Sequence, residues 1–255
     1  MKWRNDKAQD ELSDAISLLL KACEAFGISL TATQVEQFGA FLEALLSWSE
    51  RMSLTSILEP TRIVIEHFID SIAPVAFGLL EEGACIVDVG TGAGFPGIPL
   101  AILLPGSLVS LVDASRKKCA YLNSIKEHLG LENIEILHGR SEELARMESH
   151  REAYHVAVAR AFGRLDIVLE CCMPFVRIGG CTIAYKGPKF VEEMEFGEKA
   201  AKELGGKITN VIEFLLPTTD IKRALIVVEK VEQTPQRYPR RAGVPQKHPL
   251  GKILK

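Results

Sequence analysis

The segment Val87-Asp88-Val89-Gly90-Thr91-Gly92-Ala93-Gly94-Phe95-Pro96-Gly97 indicates the fold class of this chain. A short β-branched run ends within it, and an apolar run with helical spacing follows it, so it predicts a strand, a glycine turn and a helix. Alternating glycines allow a sharp turn and leave no Cβ to obstruct a ligand. Because ligands of open parallel sheets bind beyond the carboxyl ends of the strands, the segment predicts a nucleotide-type site.

An acidic residue farther along supports a nucleoside ligand. Asp113 ends the next β-branched run, 19 residues after Gly94. A carboxylate at that place can accept hydrogen bonds from both hydroxyls of a ribose. The alternative is a packing turn in which Asp113 caps the following helix, but such a turn would not require three alternating glycines.

The spacing of the glycines distinguishes between nucleotides. A dinucleotide fingerprint would place its third glycine at Phe95, and a phosphate-binding loop would need a lysine that does not follow Gly97. The pattern Asp88-x-Gly90-x-Gly92-x-Gly94 instead looks like motif I of class I S-adenosylmethionine methyltransferases. That cofactor has a ribose and an adenine but no phosphates.

The pattern around the loop predicts an α/β fold. Short β-branched runs alternate with amphipathic helical segments at 85–89, 108–112, 134–137, 156–159 and 181–185. This alternation is typical of a parallel sheet with helices on both faces. Two later runs, 208–216 and 224–230, have no helix between them and predict an antiparallel pair at one edge. The pattern thus predicts a mostly parallel seven-stranded sheet, and the likeness to motif I implies that it is a class I, Rossmann-like methyltransferase fold.

Three parts are expected along the chain: an N-terminal helical extension at 1–80 packed on the core, a methyltransferase domain at 81–232 and a basic, Pro-rich surface tail at 233–255. In the extension, Thr33 and the glutamate three residues later predict a capping box that opens the second helix. Pro60 suits the first turn of a third helix.

The charge is unevenly distributed. The chain has 255 residues and a net charge of −3, yet its last 23 residues carry six basic side chains and no acidic ones. The rest of the chain has 24 basic and 33 acidic residues. A basic tail on an acidic body favours a polyanionic partner that is contacted locally.

The composition also restricts the class of protein. No apolar run approaches the roughly 18 residues of a membrane helix, and the polar N-terminus is unlike a signal peptide. We expect a cytoplasmic monomer that does not bind membranes. The six cysteines contain no C-x-x-C pair, so no metal site is expected.

Several segments resemble one narrower family. They are Met52–Ser56, His67–Ser71, Asp88–Pro99, Arg160–Phe162, Tyr185–Gly187 and Pro235–Pro249. On these segments the chain resembles the RsmG/GidB family of bacterial small-subunit rRNA guanine-N7 methyltransferases, and the likeness covers nearly the whole chain. It implies methyl transfer from S-adenosyl-L-methionine to N7 of a guanine in the 530 loop of 16S rRNA. The substrate would be free 16S rRNA or a small ribosomal subunit particle.

The motif and the resemblance together give a set of candidate site residues. The cofactor set is Asp88, Gly90, Gly92, Gly94, Phe95, Asp113, Ala114, Ser115, Ser141, Glu142 and Arg160. Arg160, at a strand end, is also expected to position the reactants, with a structural ion pair as its alternative role. The candidate RNA contacts are Lys186, Arg223, Arg237, Arg240 and Arg241. For Lys186 and Arg223, a solvated surface charge is the alternative role. Truncation before Gln233 is expected to flatten the salt dependence of RNA binding and to leave cofactor affinity intact.

The expected chemistry needs no general base, because guanine N7 has a free lone pair and no proton. Alignment of the nitrogen with the methyl group would then supply most of the catalysis. After the fourth strand, Arg160-Ala161-Phe162 replaces the Asn/Asp-Pro-Pro-aromatic motif of exocyclic-amine methylases. Two other functions remain open at this level, a noncatalytic rRNA-binding or assembly factor and an NAD-dependent oxidoreductase.

Overall fold

A computed structural model describes residues 2–251 of the chain. The prediction for the last four residues of the tail, 252–255, lies outside the described residues. The chain begins with two long helices, α1 (Lys2–Ala25) and α2 (Ala32–Ser49). Thr31 caps α2 in a reciprocal capping box with Gln34, so the box predicted two residues later is wrong. Both positions fit the motif, and the chain uses the earlier one.

The third helical segment changes its winding along its length. It starts as α3 (Pro60–Ile63), continues as a π-helical stretch over Val64–Ile69 and ends as α4 (Asp70–Ala76). Segments with π-helical winding are frequent at functional sites. This one carries His67 and ends just before Asp70, and both side chains face the sheet's carboxyl edge.

The predicted seven-stranded sheet is confirmed, with the order β3-β2-β1-β4-β5-β7-β6. Its strands are β1 (Cys85–Val89), β2 (Leu108–Asp113), β3 (Ile134–His138), β4 (Tyr154–Arg160), β5 (Val176–Lys186), β6 (Gly206–Leu215) and β7 (Lys222–Lys230). The first five strands pair in parallel, and β7 pairs antiparallel with both β5 and β6. Since β1 lies between β2 and β4, the strand order reverses there, and a crevice is expected at the carboxyl ends of those strands.

Helices cover both faces of the sheet. They are α5 (Gly97–Leu103), α6 (Arg116–Leu129), the short α7 (Ser141–Leu144), α8 (Leu165–Cys172), α9 (Met194–Glu203) and the short α10 (Val244–Lys247). Successive residues of β1 alternate between two cores, with Ile86 in one and Val87 in the other, as the pleat of a strand requires. The core that holds Ile86 also contains buried residues of α1 and α2, such as Leu19 and Phe41. No helix in the described range is long and apolar enough to cross a membrane.

The tail packs against the domain, so the expectation of an extended surface segment is wrong for residues 233–251. Tyr238 is buried, and Arg151 donates hydrogen bonds to the carbonyl oxygens of Thr234 at 2.7 Å and Tyr238 at 2.9 Å. Near the end, the Gly251 N–H donates to Asp166 at 3.0 Å. Internal hydrogen bonds hold this backbone in place, although it forms little regular secondary structure.

Candidate functional site

The glycine loop follows β1 at the switch point of the sheet. Gly90, Gly92 and Gly94 have φ angles of +74°, +61° and +96°, values that favour glycine. A Cβ at Gly90 would overlap the Phe162 ring, and one at Gly94 would overlap Ile98. The loop therefore requires these glycines for its backbone conformation and for its close packing.

Asp88 lies beneath the loop and does not line the crevice. Its side chain is fully buried, and Oδ2 accepts the Gly97 N–H at 2.8 Å. Burial raises the pKa of this carboxyl to about 7. Within the described structure Oδ1 has no hydrogen-bond partner. Asp88 thus supports the loop from below, a different place from the cofactor contact that the sequence predicts.

Asp113, the last residue of β2, lies directly beside the glycine loop. Its Oδ2 accepts the Gly92 N–H at 3.1 Å, and its Oδ1 accepts the Ser115 N–H at 2.7 Å. Each carboxylate oxygen can accept more than one hydrogen bond, so capacity for a ribose remains. Ser115 itself caps α6 through its side chain.

A first cavity of about 70 Å³ brings several predicted residues together. Its lining includes Gly90, Asp113, Ala114, Ser141 and Glu142, and it adds Val112, Gly139, Arg140, Phe162 and Gln246. Glu142 is almost fully buried, and its Oε1 accepts the Gly243 N–H of the tail at 2.9 Å. The tail therefore forms part of this cavity, which nothing in its charge pattern indicated.

A second cavity of about 330 Å³ lies on the other side of the loop and shares Gly90 with the first. Its lining includes the predicted Gly92, Phe95 and Arg160. Sequence reasoning missed four of its other residues, Leu54, Thr55, Thr91 and Lys118. The amino group of Lys118 lies 3.9 Å from Asp113, which places a cation beside the glycine loop.

Arg160 is held by an ion pair, the alternative role that the sequence left open. Its Nη1 donates to Asp70 Oδ2 at 3.0 Å and to the Glu66 carbonyl at 3.0 Å. The guanidinium also lies over the Phe95 ring, 5.0 Å from the centroid. These contacts fix the guanidinium at the boundary between the second cavity and a third, described below, and Arg160 lines both.

His67 lies beside Arg160 at the junction of the second and third cavities, and it lines both. Its Nε2 lies 2.8 Å from the Thr55 hydroxyl, and its Nδ1 lies 3.3 Å from Arg160 Nη2. The ring stacks on Phe95 with centroids 4.8 Å apart. Burial and the charge of Arg160 lower the pKa of His67 to about 4. The imidazole is therefore neutral near pH 7.

The third cavity, of about 430 Å³, shares His67, Arg160 and Ala161 with the second. Two predicted RNA contacts, Lys186 and Arg223, line it. Its other lining residues are Ile57, Glu66, Asp70, Gly163, Tyr185, Gly187 and Glu193. The three shared residues place this cavity directly beside the crevice of the glycine loop.

The three predicted arginines of the tail differ in their surroundings. Arg240 is bound to the fully buried carboxylate of Glu170, with Nε 2.8 Å from Oε1. Arg237 is 68% exposed and pairs with Glu203 at 3.2 Å. Arg241 is exposed. Only Arg237 and Arg241 thus present accessible guanidinium groups.

The cysteine pair of α8 is buried in the core. Cys171 and Cys172 are inaccessible, and burial raises the pKa of both thiols well above the usual range. A thiol in such surroundings is a poor nucleophile. Across residues 2–251, no group of three or more His, Cys, Asp or Glu side chains is placed to hold a metal ion.

The sequence is similar to one characterised family. The family profile described as "GidB: rRNA small subunit methyltransferase G" matches residues 34–224. The protein named ribosomal RNA small subunit methyltransferase G from Acetivibrio thermocellus is 44% identical over 233 residues, covering 91% of this chain and 96% of its own. Its namesake from Alkaliphilus metalliredigens is 41% identical over 233 residues, covering 91% and 98%.

Solved structures share the fold at low sequence identity. A SAM-dependent methyltransferase from Aquifex aeolicus is 20% identical with a TM-score of 0.52, covering 73% of this chain and 98% of its own. A mutant of MtNAS in complex with S-adenosylmethionine is 17% identical with a TM-score of 0.53, covering 77% and 72%. These similarities confirm the predicted fold class.

Proposed function

Because this chain belongs to the rRNA small subunit methyltransferase G family, we propose that it methylates N7 of a guanine in the 530 loop of 16S rRNA. The family membership makes the chain an S-adenosylmethionine-dependent rRNA methyltransferase and removes the oxidoreductase alternative. The single observation that carries the proposal is the glycine crevice, with Asp113 opposite Gly92, opening beside the cavity at Arg160.

The residues of the crevice fit S-adenosyl-L-methionine. A Cβ at Gly90 would already meet the Phe162 ring, so this bend of the loop needs a bare backbone. Asp113 would accept the ribose hydroxyls, and Ala114 and Ser141 would border the adenine in the first cavity. Lys118 would offer a cation to the carboxylate of the methionine part. When bound, the cofactor supplies an electrophilic methyl group on a sulfonium.

The chain's own residues position the reactants and do not abstract a proton. Guanine N7 needs no deprotonation, and His67 is held neutral between Thr55 and Arg160. The cavity of about 430 Å³ beside the crevice has the volume typical of small-ligand sites and would accept a base turned out of its loop. Fixed geometry of this kind supplies catalysis by orientation.

Exposed basic residues would hold the RNA backbone. Arg237 and Arg241 have the accessible guanidinium groups of the tail. Replacing each by alanine should lower the salt slope of RNA binding by about one, since each neutralised phosphate adds about 0.7–0.9 to that slope. The proposal places the enzyme in the bacterial cytoplasm, where its rRNA is made, acting as a monomer.

Mass mapping of 16S rRNA after incubation with isotopically labelled S-adenosylmethionine tests the proposal, because it identifies reaction, base and position together. Free rRNA and small-subunit particles are compared as substrates. A labelled methyl group on guanine N7 in the 530 loop is the expected result. Cofactor binding without incorporation into either substrate would favour a noncatalytic assembly factor.

Asp113→Asn tests the proposed contact between Asp113 and the ribose of the cofactor. The amide keeps the shape of the side chain, but it cannot accept at every position that the carboxylate uses. Loss of charge-assisted hydrogen bonds should weaken cofactor binding by about 1–3 kcal/mol. Calorimetric titration with S-adenosylhomocysteine measures this change, and unaltered affinity would argue against a ribose contact at Asp113.

A further inference from the structure

The cavity of about 430 Å³ is balanced in charge. Its lining contains three cations, Arg160, Lys186 and Arg223, and three carboxylates, Glu66, Asp70 and Glu193. The remaining titratable base, His67, is neutral near pH 7 because burial lowers its pKa to about 4. Phosphate sites carry an excess of positive charge, so this cavity is better suited to an uncharged heterocycle than to the RNA backbone.

Each cation of the cavity already has an anionic partner. Arg160 pairs with Asp70 at 3.0 Å, Lys186 pairs with Glu193 at 2.6 Å, and Arg223 approaches Asp70 at 3.5 Å. Phosphate binding to Lys186 would have to compete with a carboxylate that is already in contact. A contact with the RNA backbone, one of the two roles that the sequence leaves open for Lys186, is therefore the weaker interpretation.

The Lys186–Glu193 pair is fixed by further hydrogen bonds. The ammonium of Lys186 also donates to the Gly163 carbonyl at 2.6 Å. Glu193 Oε2 accepts both the lysine and the Leu165 N–H, the latter at 2.7 Å. One N–H of the ammonium and the other carboxylate oxygen, Oε1, remain without a partner in the described structure. The pair thus presents one donor beside one acceptor, both charged and both preorganised.

We propose that the Lys186–Glu193 pair recognises the O6 and N1–H edge of the target guanine, a role that rests on the proposed function. Guanine presents an acceptor at O6 next to a donor at N1, which complements the free ammonium N–H and the free Oε1. Adenine presents the reverse order, a donor at N6 next to an acceptor at N1. Contacts on this edge leave N7 free to react toward the junction at His67 and Arg160, whereas an arginine on the O6 and N7 edge would cover N7.

The sharpest test replaces the acceptor by a donor. In Glu193→Gln, the amide oxygen is held by the Leu165 N–H and Lys186, so the NH₂ group takes the place of Oε1. The NH₂ group is a donor, so it cannot accept a hydrogen bond from the N1–H of guanine. It can donate to N1 of 2-aminopurine, a base that keeps N7 but lacks O6 and the N1 proton. Glu192→Gln is the control, because Glu192 is the exposed neighbour in the same turn.

The measurement is kcat/KM on reconstituted small subunits that carry guanosine or 2-aminopurine riboside at the target position. The intrinsic difference in N7 reactivity between the two bases is the same for every enzyme variant, so it cancels when preferences are compared. We expect the preference for guanosine to fall at least about tenfold in Glu193→Gln and to stay at the wild-type value in Glu192→Gln. The dissociation constant of S-adenosylhomocysteine should be unchanged in both variants.

An unchanged guanosine preference in Glu193→Gln would overturn the inference. So would a wild-type enzyme that does not distinguish guanosine from 2-aminopurine riboside, a result that needs no variant to fold. A Lys186→Met variant that lowers the salt slope of RNA binding by about one, with Lys189→Met as the exposed control, would identify a phosphate contact instead. By contrast, a wild-type enzyme that methylates no guanine at N7 would contradict the proposed function itself.

Discussion

Arg240 donates two hydrogen bonds to the same carboxylate oxygen of Glu170, Oε1. One comes from its backbone N–H at 2.9 Å and the other from its side-chain Nε at 2.8 Å. The two residues are 70 positions apart, and the Glu170 side chain has no exposure to solvent. Because this guanidinium neutralises a buried carboxylate, it stabilises the fold and is not free to bind a phosphate. The tail is therefore attached to α8, with one of its predicted phosphate contacts used as the anchor.

Replacing Arg240 by alanine should destabilise the protein by about 3 kcal/mol, because an unpaired carboxylate would remain buried at Glu170. Urea unfolding measures this change. Arg241→Ala, an exposed neighbour, should change the free energy of unfolding by no more than about 0.5 kcal/mol. Equal effects of the two substitutions would show that the Arg240–Glu170 pair does not anchor the tail.

Removing residues 243–255 should weaken cofactor binding, contrary to the expectation from the sequence that the tail is dispensable for it. The shortened chain keeps Arg240 but loses the Gly243 N–H, which is bound to Glu142, and also loses Gln246, which lines the first cavity. Loss of one or two such contacts corresponds to about 1–3 kcal/mol.

Calorimetric titration of the shortened chain with S-adenosylhomocysteine measures this loss. Lys247→Ala is the control, since Lys247 is exposed in the same segment. A dissociation constant equal to that of the full chain would mean that the tail covers the cavity without contributing to binding.

His67 and Asp88 should contribute to stability with opposite dependences on pH, because their pKa values are shifted in opposite directions. Burial lowers the pKa of His67 to about 4, so the unfolded chain binds more protons there, and this residue's contribution to stability is lost as pH falls from about 6.5 to 4. Burial raises the pKa of Asp88 to about 7, so the folded chain binds more protons there, and its contribution falls as pH rises from about 4 to 7.

Single variants reveal the two opposing trends. Between pH 4.5 and 7, the slope of the free energy of unfolding against pH should be more negative in His67→Gln than in the wild type. In Asp88→Asn, which keeps an oxygen for the Gly97 N–H, this slope should be more positive than in the wild type. Urea unfolding across this range is the measurement, and parallel curves for all three proteins would contradict both pKa shifts. If His67 does not act as a base, the pH profile of kcat in His67→Gln should keep every titration limb of the wild type, including any limb near pH 4.

Gly90→Ala should abolish most cofactor binding, because a methyl group there would overlap the Phe162 ring and strain a φ of +74°. Gly27→Ala is a matched control with a similar φ of +69° and open space around its Cβ position. The control should lose about 1 kcal/mol of stability and keep its cofactor affinity. Equal affinity losses in both variants would indicate a general effect of strain. Adding Phe162→Ala to Gly90→Ala should restore part of the binding.

The sheet and the glycine turn were predictable from sequence because their signals are local. Each strand appears as a β-branched run, and the turn at Gly90–Gly94 needs residues that tolerate positive φ. The distance from the loop to Asp113 follows from one helix and one strand of ordinary length. The predicted start of α2 was wrong by two residues, since Thr31 and Thr33 both fit the capping motif.

Long-range contacts account for what the sequence could not indicate. The ion pair of Arg160 with Asp70 joins residues 90 positions apart, and the Gly243–Glu142 hydrogen bond joins residues 101 positions apart. A pattern of residue types records which side chains can pair but not which ones the fold brings together. For that reason residue order alone established the layered architecture, the glycine turn and the acid that faces it. Only the tertiary structure shows that Asp88 supports the loop, that Arg240 anchors the tail and that Lys186 pairs with Glu193. The reason is that burial and charge compensation act only between groups that folding has brought together.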